Sequence, residues 1–100
     1  MSEKQTIDEL ALDIHEWANS TFPDRTHANT FSKLVFHEIP ELFQSGGSDP
    51  LEYADILILL LDLAKMKGIN IGAAIDEKMN INRSRQWRLD ITTGVHSHVD

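Results

Sequence analysis

Apolar residues recur three and four positions apart along most of the chain, which is the period of helices rather than strands. Ile7, Leu10, Ala11, Ile14 and Trp17 define a first helix, with Thr6 as its cap and Glu9 at the capping-box position. Asn19–Ala28 contains Phe22-Pro23-Asp24-Arg25-Thr26 and reads as a loop. Phe31, Leu34, Val35, Glu38 and Leu42 follow along a second helix, capped by Asn29 or Thr30. Pro40 falls inside that pattern. It removes a backbone donor and is expected to kink or break the helix between Glu38 and Glu41, or to mark a helix that ends near Glu38 and restarts.

Ser45-Gly46-Gly47-Ser48 stops the second helix, and Asp49-Pro50 starts a third as N-cap and first turn. That helix runs from Leu51 to about Lys67, where Gly68 stops it. Asn70 opens a fourth through Ala73, Ala74, Ile75 and Met79 to about Trp87. Residues 1–5 and about 89–100 read as terminal tails, the second extended, with no strong strand pattern anywhere. The middle of the third helix, Ile56–Leu61, is apolar on all sides, the mark of a segment buried all round. About four helices are too few to surround it. The expected fold is therefore all-α: one domain over residues 1–100, built on a central antiparallel helix hairpin and completed by oligomerisation.

The formal net charge of −7 argues against a nucleic-acid polymer as partner. The longest apolar run is too short to span a bilayer, so no membrane partner is expected. Without cysteine there is neither a disulfide framework nor a thiolate zinc site. With no segment that reads as a signal peptide, a cytoplasmic location is expected.

The acidic residues carry the candidate chemistry. Glu38 and Glu41 lie three apart on one helix, and Glu52 and Asp55 lie three apart on the next. Residues three apart share a helix face. A short turn makes the two helices antiparallel neighbours, which sets Glu41 against Glu52 and Glu38 against Asp55. Four carboxylates that close repel unless something positive sits among them. An all-oxygen set favours a hard divalent cation, Mg2+ or alternatively Mn2+. The bland reading of such residues is a solvated face, but the matched second pair weighs against it. Glu-x-x-His, the mark of a di-iron bundle, is absent.

On the fourth helix Lys78, Asn82 and Arg85 form one polar stripe leading to Trp87, suited to phosphates and a base edge. Alone, it would read as a solvated helix end. His37 could support a metal ligand or carry a proton but reads by default as a surface residue, and Trp17 could stack on a base but reads by its place on the stripe as core. His96 and His98 lie in the tail without acidic neighbours at metal-ligand spacing. Asp62 stands a further two turns along the third helix and is expected to pair with a basic side chain rather than join the cluster.

The chain resembles the MazG-like all-α nucleoside triphosphate pyrophosphohydrolases, and among them the small phage and bacterial dATP/dGTP type. The resemblance rests on Lys33–Leu42, on Glu52-Tyr53-Ala54-Asp55-Ile56-Leu57, on Lys78, Asn82, Arg85 and Trp87, and on the Trp17…Phe22-Pro23 entry. It spans about residues 7–90. It implies Mg2+-dependent cleavage of a (deoxy)nucleoside triphosphate between the α and β phosphates. It also implies metal held by Glu38, Glu41, Glu52 and Asp55, catalysis by Glu38 and Glu41, and a homodimer or homotetramer. Two departures stand out: His37 occupies the place of the motif's first glutamate, and Pro40 interrupts the motif. The competing reading is a non-catalytic helical module that binds a nucleotide or a protein. No Gly-x-x-x-x-Gly-Lys-Ser/Thr loop is present, so a P-loop route is not expected.

Overall fold

The computed structural model describes residues 4–85, 87–90 and 94–98. Its elements are α1 (Ile7–Thr21), α2 (His27–Lys33), a π-helical turn (Leu34–Glu38), α3 (Ile39–Gln44), α4 (Pro50–Met66) and α5 (Ile71–Ser84). A two-stranded antiparallel hairpin follows, β1 (Trp87–Asp90) with β2 (Val95–His98). The junction residues Lys33, Leu34, Glu38 and Ile39 all keep right-handed helical dihedrals. So α2, the π turn and α3 form one continuous rod, and the helical body has four rods. Among the described residues no helix is long and apolar enough to cross a membrane.

Local chemistry explains most boundaries. Thr6 and Glu9 form the capping box of α1. Asp49 accepts the Leu51 N–H at the start of α4, with Pro50 in its first turn. Gly68 sits at φ 68°, where a side chain would be strained, and Ile69 N–H reaches back to the Ala64 carbonyl to close α4. Asn70 caps α5 through the Ala73 N–H. Asp8 of α1 adds a second cap, accepting the Gly72 N–H at 3.1 Å. The two helices approach so closely there that a Cβ on Gly72 would collide with the Asp8 carboxylate.

Four expectations need correction. The second helix starts earlier than Asn29 or Thr30: Thr26 is its cap, and Asn29 is the third helical residue of a reciprocal capping box. Pro40 neither breaks nor restarts the rod. Immediately before it the Ile39 N–H bonds to the Leu34 carbonyl, five residues back. A proline ring clashes with the carbonyl four residues earlier, and a wider turn relieves that clash. The fourth helix ends at Ser84, short of Trp87. The expected extended tail contains a hairpin, in which Trp87 pairs with His98 and Asp90 with Val95.

The core is thin. Among the described residues its buried apolar members are Ala11, Ala18, Leu34, Leu61 and Leu63, and no large side chain is wholly enclosed. α1 packs on α4, as do the π turn and α3, while α5 packs on α1. Within Ile56–Leu61 only Leu61 is buried; Leu57, Ile58 and Leu60 remain exposed. The chain's own helices cover one side of α4 and leave the other open.

One buried ionic group ties the body together. Asp62 is 3% exposed. It accepts two bonds from Arg25, Nε to Oδ2 and Nη2 to Oδ1, each 2.7 Å, and one from His15 Nδ1 at 2.8 Å. This joins α1, the α1–α2 loop and α4, and Asp62 has the basic partner its sequence position suggested. Burial pushes the Asp62 carboxyl up, but the bonds and charges of Arg25 and His15 outweigh it and hold the group below the usual range. The same bond raises the Arg25 guanidinium.

Asp62→Ala strands the Arg25 charge and is expected to cost about 3–5 kcal/mol in urea unfolding near neutral pH. Because the folded pKa is depressed, this stability is complete above the ordinary carboxylate pKa and is lost as pH falls through the folded value. The gap between wild type and variant should narrow in acid. A gap unchanged down to about pH 2 would contradict this account.

Candidate active site

The turn between α3 and α4 is built to hold two helices side by side. Gly46 and Gly47 both take positive φ, at 80° and 73°. Gly47 N–H bonds to the Leu42 carbonyl, and the Tyr53 hydroxyl donates to the Gly47 carbonyl at 2.8 Å. The turn is thereby pinned to the first turns of α4.

This geometry converges the acids. Glu38, Glu41 and Glu52 each offer a carboxylate oxygen, and these oxygens lie within 4.8 Å of one another. Asp55 stands outside that triplet but close enough for its charge to raise both Glu38 and Glu52. Burial is the first cause of the rise at Glu38, followed by the charges of Glu41 and Asp55, with Lys33 pulling the other way. Burial also leads at Glu52, followed by Glu41, Asp49, Asp55 and Glu38. Glu38 Oε2 and Glu52 Oε2 are both shielded from solvent and have no hydrogen-bond partner. Shielded carboxylate oxygens without donors are costly. They are the oxygens a divalent cation would satisfy, and the donor set is all oxygen, so these residues fit a hard metal.

A cavity of about 470 Å3 opens beside the acids. Glu38 and Asp55 stand on its wall, Asp62 and Arg25 line it, and Ile14, Ala18, Ile58 and Leu59 supply apolar surface. Trp17 and Phe22 line it as well, edge to face with ring centroids 5.5 Å apart. Trp17 is 55% exposed, which corrects its assignment to the core. It follows the apolar stripe of α1, but its ring lines the cavity while the adjacent Ala18 is buried.

The π turn decides which side chain of the rod meets the cavity. On a regular helix the residue facing Lys33 one turn on would be His37, and Glu38 would lie about 140° away. With the wider turn, Lys33 and Glu38 line the cavity together. Lys33 also borders a shallower groove with Asn29, Ser32, His37, Glu38 and Glu41, and His37 is exposed there as expected. Sequence spacing assigned Lys33 no role, because five-residue spacing carries meaning only where a helix widens.

Lys78 and Asn82 lie on α5 and Arg85 caps its end, and none of the three is among the residues lining the cavity. Within this chain the structure does not bring them to the acids. Trp87 begins β1 and His98 ends β2, and the side chains of both lie outside the described residues; His96 is exposed on β2.

A family model described as dATP/dGTP pyrophosphohydrolase matches residues 10–99. A dATP/dGTP diphosphohydrolase of Salmonella phage PMBT28 is 43% identical over 94 residues, 94% of this chain but 32% of that protein, so the chain spans about a third of its length. A dATP/dGTP diphosphohydrolase of Cyanophage S-2L is 46% identical over 83 residues, covering 82% of this chain and 78% of that one. The structure of the Cyanophage S-2L MazG-like pyrophosphohydrolase, bound to dGDP and three catalytic Mn2+ ions per active site, superposes with a TM-score of 0.84. It is 41% identical, and the match covers 99% of this chain and 98% of that one. A four-rod helical body, a carboxylate-lined hairpin and a family match across nearly the whole length agree: the chain belongs to the dATP/dGTP pyrophosphohydrolase family.

Proposed function

We propose that this chain hydrolyses purine deoxynucleoside triphosphates to the monophosphate and pyrophosphate, using Mg2+ with Mn2+ as an alternative. The observation that carries the reading is the pair of shielded, unpartnered oxygens on Glu38 and Glu52 beside a cavity bearing an aromatic pair. One end suits cation and phosphate, and the other suits a base. The names of the relatives point the same way.

A divalent cation held by Glu38, Glu41, Glu52 and Asp55 supplies Lewis acidity that offsets phosphate charge and makes water easier to deprotonate. The chain's own residues do the rest. Glu38, on the cavity wall, takes the proton of the attacking water, with Glu41 beside it. Water oxygen bonds to phosphorus, the bridging oxygen of the α–β anhydride leaves with pyrophosphate, and the proton goes to the carboxylate. Lys33, on the wall between aromatic pair and acids, is placed to offset phosphate charge. The apolar wall keeps bulk water from the base.

The open side of α4 is covered by a second copy of this chain. Phe36 and Phe43 on the rod and Leu51 at the start of α4 are 71%, 86% and 71% exposed, beside a core with no wholly enclosed large side chain. Such a core is thin for independent stability. Lys78, Asn82, Arg85 and Trp87 then serve as nucleotide-binding residues for the acids of a neighbouring copy. The assembly is a homodimer or a homotetramer.

Glu41→Gln and Asp55→Asn should each weaken Mg2+ or Mn2+ binding by at least about tenfold in calorimetry, each removing one charged ligand. Unchanged affinity in both variants would remove the metal assignment.

Chromatography of the first products from dATP and dGTP tests the reaction. Monophosphate and pyrophosphate are expected, and diphosphate with orthophosphate would refute cleavage at the α–β bond. No turnover with any triphosphate would favour a non-catalytic binding module.

Light scattering at micromolar concentration should give the mass of two or four chains. Mixing Glu41→Gln with Arg85→Ala should restore activity that neither variant has alone. A monomeric mass with a cooperative fold would overturn the interface, and failure to complement would overturn the shared role of α5.

A further inference from the structure

Most polar groups on the cavity wall away from the acids are already engaged. Asp62 has both oxygens occupied by Arg25 and His15. Arg25 spends Nε and Nη2 on Asp62 and Nη1 on the Phe22 carbonyl. The Thr30 hydroxyl donates to the Thr26 carbonyl at 2.8 Å. Asn29 remains, one helical turn before Lys33 and so about 6 Å further from the acids along the rod.

The Asn29 amide cannot turn freely. Its Oδ1 accepts the Thr26 backbone N–H at 2.8 Å, while the Thr26 hydroxyl accepts the Asn29 N–H at 3.1 Å. Swapping the amide would set Nδ2 against a backbone donor. So the oxygen is committed to the helix cap, and Nδ2 has no partner among the described residues. Asn29 lines the cavity with an amide fixed in one orientation, its Nδ2 donor unpaired and its Oδ1 keeping one lone pair beside the Thr26 bond.

We propose that Asn29 is a specificity-determining residue: its oriented Nδ2 donates to a purine ring nitrogen, N7 or N3, an acceptor that adenine and guanine share. The proposal rests on the nucleotide reading above. An amide free to use both groups pairs with adenine at N6 and N7, and so rejects guanine, whose six-position is a carbonyl. A contact through the N–H alone, made to N7 or N3, uses an acceptor that both purines share. Trp17 and Phe22 add aromatic surface at the same cavity, and base stacking is tolerant of base identity.

The test separates this role from helix capping. Asn29→Asp keeps an oxygen for the Thr26 N–H and removes the donor. Wild type and variant are assayed for kcat/KM on dATP and dGTP, on their 7-deaza analogues and on 3-deaza-dATP, with melting temperatures in parallel. Wild type should lose roughly 3- to 10-fold on the analogue that lacks the contacted nitrogen, the size of one neutral hydrogen bond. If that nitrogen is N7, the loss should be equal in the adenine and guanine series. In Asn29→Asp the difference between natural and deaza substrate should vanish while the melting temperature holds. Repulsion between the new carboxylate and phosphate would depress both substrates alike and so cannot mimic this result. Wild type treating every deaza analogue as the natural nucleotide would overturn the proposal. So would a deaza penalty that survives in the variant. Absence of turnover of both dATP and dGTP by wild type would instead bring down the reaction assigned above, and this inference with it.

Discussion

Several carboxylates held together and partly out of water are the constraint around which the chain is arranged. Each shielded oxygen without a donor is unfavourable. Nothing in the hairpin itself repays that cost, so the frame must be strong enough to hold the acids before any cation arrives. The Gly46-Gly47 turn, the Tyr53 tether and the Asp49 cap grip the hairpin at its closed end. The Asp62 network grips α4 further along. Asp62 and Glu52 are acids on the same helix with opposite treatment. Asp62 is given a guanidinium and an imidazole from its own chain, and its pKa is lowered. Glu52 is left among other acids, and its pKa is raised. A permanent strut needs its counter-charge built in. A site that must admit and release ligands needs it supplied from outside.

Much of this was legible in the sequence because it depends on local rules. The Thr6–Glu9 box, the Asp49-Pro50 start, Gly68 and the Asn70 cap are short-range signals, and each works where it stands. The meeting of Glu38 and Glu41 with Glu52 follows from helix spacing plus a short turn. The partner of Asp62 could be anticipated in kind but not in name, since Arg25 lies 37 positions away.

What was not legible depends on packing or on departures from regular geometry. Trp17 obeys the amphipathic stripe, yet its ring stands at a cavity, which helix period alone does not reveal. Thr26 was passed over as a cap because Asn is an unusual third member of a capping box. In the hairpin, β1 alternates apolar and polar residues over only four positions and β2 carries a single apolar residue, too short a pattern to announce a strand. Lys33 and Glu38 share a wall only because the rod widens between them.

That widening has a consequence for comparing related chains. The π turn holds one residue more than a regular helical turn, so it acts as a hidden insertion inside an unbroken helix. Two proteins could carry the same acids at the same points in space while their sequences differ by one position here. An ungapped alignment would then set His37 of this chain against a glutamate that Glu38 replaces in three dimensions. Deleting a single residue between Leu34 and Glu38 would restore regular helical geometry with the downstream acids still in phase, whereas winding the present residues as a regular helix would rotate those acids by about 100° relative to Asn29 and Lys33. The departure from regularity keeps the two halves of the cavity in phase.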